Sequence, residues 1–177
     1  DKTKYLIFDF DGVIGNTFEA TLEAFVKIGY TPDLEAARKA CLDYANRKPI
    51  HVRDHTLTAE ELEKEYEWVR KFGEAMSEKE SLLFNEFVEE VLKIPNTKIA
   101  IVSSGSQHYV RPATEKSKLA PTHILSFEQH HSKEEKIESI VKDWDVPLSE
   151  VYYFTDSKAD VYELTGLLSK EQLIGCS

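Results

Sequence analysis

Apolar residues along this chain follow two rhythms. Short, nearly continuous apolar runs occur at 4–10 (KYLIFDF), 97–103 (TKIAIVS), 122–127 (THILSF), 151–155 (VYYFT) and 172–176 (QLIGC). Runs of that length, apolar at successive positions rather than every second one, predict strands covered on both faces. Between the later runs the spacing changes to that of a helix. Residues 133–144 place apolar side chains at 137, 140, 141 and 144, on one helix face, behind the capping pattern Ser132-x-x-Glu135. Residues 160–168 also suit a helix, and Pro112 is placed to be the first residue of another, after the loop SSGSQHYVR. Strands alternating with helices predict a parallel sheet with helices on both sides.

Residues 16–94 contain no convincing strand. Asn16-x-x-Glu19 suits the start of a helix that turns Phe18, Leu22, Phe25 and Val26 inward. A second helix is expected over 34–44. A third is expected over 60–76, with Leu62, Tyr66, Val69, Phe72 and Met76 at helical spacing. Ser77-x-x-Glu80 predicts a fourth, with Leu83, Phe87, Val88 and Val91 inward and a stop before Pro95. The expected architecture is therefore α/β. A Rossmann-like parallel core would be formed by 1–15 and 95–177, with an all-helical unit, 16–94, inserted between its first two strands. Trp68 and Trp144 fall on apolar helix faces and read as core residues.

Bulk properties narrow the partners. The 177 residues suffice for one sizeable core plus a small accessory unit, and 41% hydrophobic with 31% charged residues fits a soluble protein. A net charge of −10 argues against nucleic acid as the main partner. It leaves room for a small anionic substrate, because a metal ion and a few local cations override the global field. No apolar run approaches the roughly 20 residues needed to span a bilayer, and no signal peptide is visible. Cys41 and Cys176 have no metal-ligand spacing and read as unpaired thiols of a reducing cytoplasm. The sequence begins at Asp1 rather than Met and stops just after the strand-like LIGC, which leaves the natural chain open to extension at both ends.

Candidate chemistry collects where the predicted strands end, the position at which open parallel sheets bind ligands. Asp9 and Asp11 close the first strand in DFDGV, followed by Gly12; Ser103, Ser104 and Gly105 follow the second; Lys133 opens the helix after the third; Asp156 and Asp160 follow the fourth in DSKAD. Asp-Gly alone is a common turn, Ser-Ser-Gly an ordinary loop, and Asp156 or Ser157 a plausible helix cap. Asp9 is harder to dismiss, since an unpaired carboxylate in an apolar strand is costly. Lys133 is informative too. A cation in the first turn of a helix faces the positive end of the macrodipole, which calls for an anion nearby. The basic stretch NRKPIHVRDH (46–55), with Arg47 and Arg53, reads either as a solvated loop or as a specificity loop that binds part of a substrate. His123, His130 and His131 lack i, i+4 spacing and read as loop residues rather than metal ligands.

DFDGV, IVSS, Lys133 and DSKAD, in that order, resemble the four motifs of the haloacid dehalogenase-like (HAD) superfamily of phosphohydrolases, and the helical insertion resembles that superfamily's cap domain, as in members akin to phosphoglycolate phosphatase and β-phosphoglucomutase. Thr155 stands where many members have Gly, and Asn16-Thr17 where many have Asp-Ser or Asp-Thr. The resemblance implies a cytoplasmic Mg²⁺-dependent phosphatase acting on a small phosphorylated metabolite, as a monomer or small homo-oligomer. It implies Asp9 as nucleophile and metal ligand, and Asp11 as general acid/base that also supplies a backbone carbonyl to the metal. Asp156 would complete the Mg²⁺ site, with Asp160 either a further ligand or a support for Lys133. Ser103 and Lys133 would hold the phosphoryl group, cradled by backbone N–H groups around Asp11, Gly12 and Ser104 with Gly105 beside them. A phosphomutase shares this chemistry. A non-catalytic module on the same fold would be expected to lose one of these groups, and a receiver domain would lack the long helical insertion.

Overall fold

The computed structural model describes residues 2–46, 58–129 and 132–176. Five parallel strands form one sheet: β1 (Lys4–Asp9), β2 (Thr97–Val102), β3 (His123–Leu125), β4 (Val151–Thr155) and β5 (Leu173–Gly175), in the order β3-β2-β1-β4-β5. Side chains alternate across the sheet, as a strand's period of two requires. Leu6, Phe8, Ile99 and Ile101 join one apolar cluster, while Ile7, Ala100 and Val102 join the other. Both faces are covered, which is why the strands read as continuous apolar runs. Full burial of a side chain such as Ile7 or Phe8 stabilises the fold by about 1.5–3 kcal/mol.

One face packs on α5 (Gln107–Lys116) and on α4 (Asn85–Leu92) through Val88, Val91, Val110 and Ala113. The other packs on α6 (Lys133–Trp144), through Ile137, Ile140 and Trp144, and on α7 (Lys158–Leu164), through Leu164. The helix α6 covers the residues its periodicity predicts. Ser132 caps it by accepting from the Glu135 N–H at 3.2 Å.

Between β1 and β2 the chain forms α1 (Phe18–Lys27), α2 (Leu34–Asn46), α3 (Ala59–Ser77) and then α4. α3 starts at a capping box of Thr58 and Glu61 and packs against α1 and α5. α2 packs on α1 and on α7, and Ser157 Oγ donates to the Ala45 carbonyl at 3.2 Å, which ties the helical block to the β4–α7 side of the sheet.

Four local expectations change. Pro112 does not open α5. It sits inside the helix, which begins five residues earlier, where Ser106 accepts from the His108 N–H. The buried face of Tyr109, Val110, Ala113 and Thr114 outweighs the lost hydrogen bond, and Pro112 itself faces solvent. α4 starts at Asn85 rather than after Ser77, because Leu83 bridges to Gly15 and the Phe84 N–H donates to the Ile14 carbonyl. At α1 no side chain caps the start, and Phe18 is exposed. His123 lies on β3, not in a loop, with Nε2 2.8 Å from Asp143. His130 and His131, and the basic stretch with Arg47 and Arg53, lie outside the described residues. Among the described residues no helix is long and apolar enough to cross a membrane.

Candidate active site

The strand order changes direction at β1, so the crevice beyond its carboxyl end is open to both neighbouring loops. Register fixes what meets there. Asp9 pairs with Val102 at the end of β2, and Phe8 pairs with Phe154 one residue before the end of β4. The loops after β1, β2 and β4 therefore leave the sheet side by side. They form one side of a cavity of about 480 Å³, lined there by Asp9, Asp11, Gly12, Ser104, Gly105 and Asp156, among others. Lys133 and Asp160 also reach it, and the helical block forms the opposite side.

Lys133 is the hinge of the charge arrangement. The residue is 6% exposed, and its ammonium lies 3.2 Å from Asp9 Oδ1 and donates to both oxygens of Asp160 at 2.8 and 2.7 Å. The anion that a cation at a helix start calls for is thus supplied from within the chain. Burial works to lower the Lys133 pKa, but Asp160 and Asp9 outweigh it and hold the ammonium well above its ordinary range. Burial would raise the Asp160 pKa. Lys133, with the hydroxyls of Thr155 at 2.8 Å and Tyr153 at 2.9 Å, overcomes it and holds the carboxyl below its ordinary value. Both Asp160 oxygens are thereby engaged. Asp9 is pushed well above the usual carboxylate range, first by burial and then by Asp160, Asp11 and Asp156, with Lys133 opposing.

Asp11 is gripped by two groups that the sequence did not single out. Thr17 Oγ1 donates to Oδ1 at 2.7 Å, and the Tyr109 hydroxyl sits 3.0 and 2.9 Å from the two carboxylate oxygens. Burial raises the Asp11 pKa, while the Thr17 and Tyr109 bonds pull it back. Thr17 therefore spends its hydroxyl on Asp11 instead of capping α1. Nothing in a Tyr four residues beyond a Ser-Ser-Gly loop announces this contact.

Two glycines let the loops approach this closely. Gly12 has φ +80°, and a Cβ there would fall 1.8 Å from Asp156 Oδ2. A Cβ on Gly105 would fall 2.0 Å from the Tyr109 hydroxyl. Ser103 is fully buried and lies one residue behind the cavity lining; its Oγ accepts from the Gly105 N–H at 2.9 Å, and its carbonyl accepts from buried Lys136 at 3.0 Å. Lys136, one turn along α6 from Lys133, is a further unforeseen member, fastening the β2 loop to that helix.

Among the described residues, Asp9, Asp11, Asp156 and Asp160 face a single ammonium, so these groups together carry excess negative charge. Its effect shows at Asp156, whose carboxyl is pushed up to about 6, first by desolvation and then by Asp11 and Asp160. Asp156 remains open to solvent, which screens part of that effect. Among the described residues no three carboxylate, imidazole or thiol side chains form a ready-made metal cage. Mg²⁺ takes one or two carboxylates, waters and substrate oxygens. Asp9 and Asp156, which line the same cavity, are hard oxygen donors in a site short of positive charge. The residues present fit such an ion.

The model of the haloacid dehalogenase-like hydrolases matches residues 6–163. No curated protein matches the sequence. Among solved structures, a haloacid dehalogenase-like hydrolase from Bacteroides fragilis superposes with a TM-score of 0.68 at 15% identity, covering 98% of this chain and 87% of that one. CbbY from Rhodobacter sphaeroides, in complex with phosphate, gives 0.62 at 15% identity over 93% and 83%. A phosphoserine phosphatase, captured as an analogue of its phospho-aspartyl intermediate, gives 0.59 at 19% identity over 93% and 83%. At these identities the structures speak to the fold, and the family model, which spans the first four strands and the helical insertion, speaks to descent: the chain belongs to the haloacid dehalogenase-like hydrolases.

Proposed function

We propose that this hydrolase is a Mg²⁺-dependent phosphatase of small phosphate monoesters, working through a phosphorylated Asp9. The observation that carries the reading is the buried Asp9–Lys133 pair opening into a cavity with a second carboxylate, Asp11, two residues away. Asp9 supplies the oxygen that attacks phosphorus. The bond from phosphorus to the ester oxygen breaks, and that oxygen takes the proton of Asp11. Water then attacks the phospho-aspartate, gives its proton to the Asp11 carboxylate, and phosphate leaves Asp9. Lys133 offsets charge on the phosphoryl oxygens, and Ser104 with the N–H groups around Gly12 and Gly105 cradles them. Ser103 holds the loop that presents them, and Asp160, with both oxygens engaged, serves as support for Lys133 rather than as a metal ligand. A bound Mg²⁺, held by Asp9, Asp156 and the Asp11 carbonyl, would supply the positive charge that keeps Asp9 ionised and draws the substrate's oxygens into line.

In this reading residues 16–94 cap a core of 1–15 and 95–177. The partner is a small phosphorylated molecule, and a cytoplasmic setting suits the free thiols Cys41 and Cys176. A panel of phosphate monoesters assayed for phosphate release tests the proposal. Release should require Mg²⁺, stop on chelation and return on readdition, with Zn²⁺ a poor substitute. Full activity in excess chelator would remove the metal from the proposal. Interconversion of sugar phosphates without free phosphate would make the enzyme a mutase.

Tyr109→Phe probes the acid. The ring keeps its edge contacts with Phe10 and Phe72, and only the hydroxyl is lost. That hydroxyl favours charged Asp11, so its loss should raise the Asp11 pKa further and move the basic limb of the kcat/KM profile to higher pH. An unmoved basic limb would show that Tyr109 does not tune the acid.

A further inference from the structure

The phosphoryl-binding loops occupy only one side of the cavity. Its volume of about 480 Å³ lies within the range of pockets that enclose whole organic molecules, well beyond what a phosphoryl group fills. The opposite wall, from the helical block, is aromatic. Trp68 and Phe72 of α3 lie with ring planes within 2° of parallel, centroids 5.5 Å apart. Phe25 of α1 tilts against Phe72 at 5.3 Å, and Tyr30 closes edge-on against Phe25 at 4.9 Å and Trp68 at 5.2 Å. All four line the cavity.

These rings are not simply the interior of the helical block. Tyr30 is 55% exposed, and Phe25 and Trp68 are only partly buried, so apolar ring surface faces the open cavity. Such a surface is stabilised when something apolar covers it. The wall's polar content matches. Among its described lining residues the one charged side chain is Glu65, with hydroxyls from Thr17, Thr21, Tyr30 and Tyr44, the Cys41 thiol, and no Lys or Arg. A second phosphate or a carboxylate on the substrate would meet a carboxylate there and no cation among the wall's described lining residues. A ring or alkyl group would meet four aromatic side chains.

Resting on the phosphatase reading, we infer that the helical wall of Phe25, Tyr30, Trp68 and Phe72 is a subsite for an apolar leaving group, so that the substrate is the phosphate monoester of an aromatic or other hydrophobic alcohol. Tyr30 and Trp68 are its specificity-determining residues, and the core handles the phosphoryl group for any ester. The basic stretch 46–55, which the sequence offered as either a solvated loop or a specificity loop, would in the second role favour an anionic substrate and makes the rival prediction.

Binding of three phosphonates that share one head group tests the subsite without turnover: ethylphosphonate, 2-carboxyethylphosphonate and 2-(1-naphthyl)ethylphosphonate, titrated by calorimetry with Mg²⁺ present. The naphthyl compound should bind at least about tenfold more tightly than the ethyl compound, from apolar area buried. Trp68→Leu should erase most of that ratio. Tyr30→Ala should erase part of it, and because Tyr30 is largely exposed this variant retains the fold even if Trp68→Leu does not. Equal affinity for the ethyl and naphthyl compounds, preference for the carboxyethyl compound, or an unchanged ratio in both variants would overturn the subsite. The corresponding phosphate esters, whose alcohols are similarly poor leaving groups, separate this from the parent reading. Retained naphthyl preference in binding with no phosphate released from any ester would sink the phosphatase assignment and leave the subsite standing.

Discussion

Asp9→Asn should leave a folded protein that no longer turns over. The substitution preserves shape and an acceptor oxygen at the position where Asp9 Oδ1 takes the Phe10 N–H at 2.9 Å. It removes a charge that burial and three neighbouring carboxylates already work against. Lys133 keeps its doubly bonded partner Asp160, so no ammonium is stranded. Thermal stability should therefore stay within a few degrees of wild type. Catalysis has no such reserve, because an amide cannot accept the phosphoryl group. The expected loss is at least about 10³-fold in kcat, the scale seen when a nucleophile is removed and binding survives. Rapid-quench detection of phosphorylated protein gives the complementary readout: an acid-stable, hydroxylamine-sensitive phosphoryl adduct in wild type and none in the variant. A variant with wild-type turnover would rule out Asp9 as nucleophile.

Much of this arrangement is legible in the sequence because strand ends are legible. Apolar runs fix where β1, β2 and β4 stop, and parallel pairing forces Asp9, Ser104 and Asp156 to the same edge. Lys133 stood out through a simple electrostatic misfit with its own helix, and the structure resolves the misfit with Asp9 and Asp160. The choice left open for Asp160 turns on hydrogen bonds from Tyr153 and Thr155, which periodicity cannot express. Tyr109 and Lys136 were hidden for a related reason. Each occupies a buried face of a helix, where one residue among several apolar neighbours reads as packing. The aromatic wall shows the same limit in reverse. Phe25, Trp68 and Phe72 carry the spacing of inward-facing helix residues, and inward they do face. The sequence does not reveal that part of what they face is a cavity. Pro112 misled because its local preference for a helix start was weighed without the Ser106 cap and the buried face of α5.

Lys133→Met should cost both stability and activity. The Met side chain fills the same buried space but leaves Asp9 and Asp160 without their counter-charge. Removing one partner of a buried pair costs about 3–5 kcal/mol, and at this chain length each kcal/mol lowers Tm by roughly 2–4 °C. A fall of about 10 °C near pH 7.5, measured without added divalent cation, is expected. The pH dependence identifies the cause. In wild type, Asp160 has a lowered folded pKa, so its contribution is present above the unfolded value of about 3.9 and is lost only as pH falls through the lowered folded one. In the variant the sign reverses. Both carboxyls are raised by burial, a penalty that is full above their raised values and disappears as they protonate on acidification. The stability gap between the two proteins should therefore narrow from pH 7.5 to pH 5. Adding Asp160→Asn to Lys133→Met removes one stranded charge and should restore part of the loss at neutral pH, a coupling that two independent sites would not show. Chemical denaturation of the four proteins of that cycle at both pH values decides the matter. A gap that stays constant with pH, together with additive losses, would mean that Lys133 contributes packing alone.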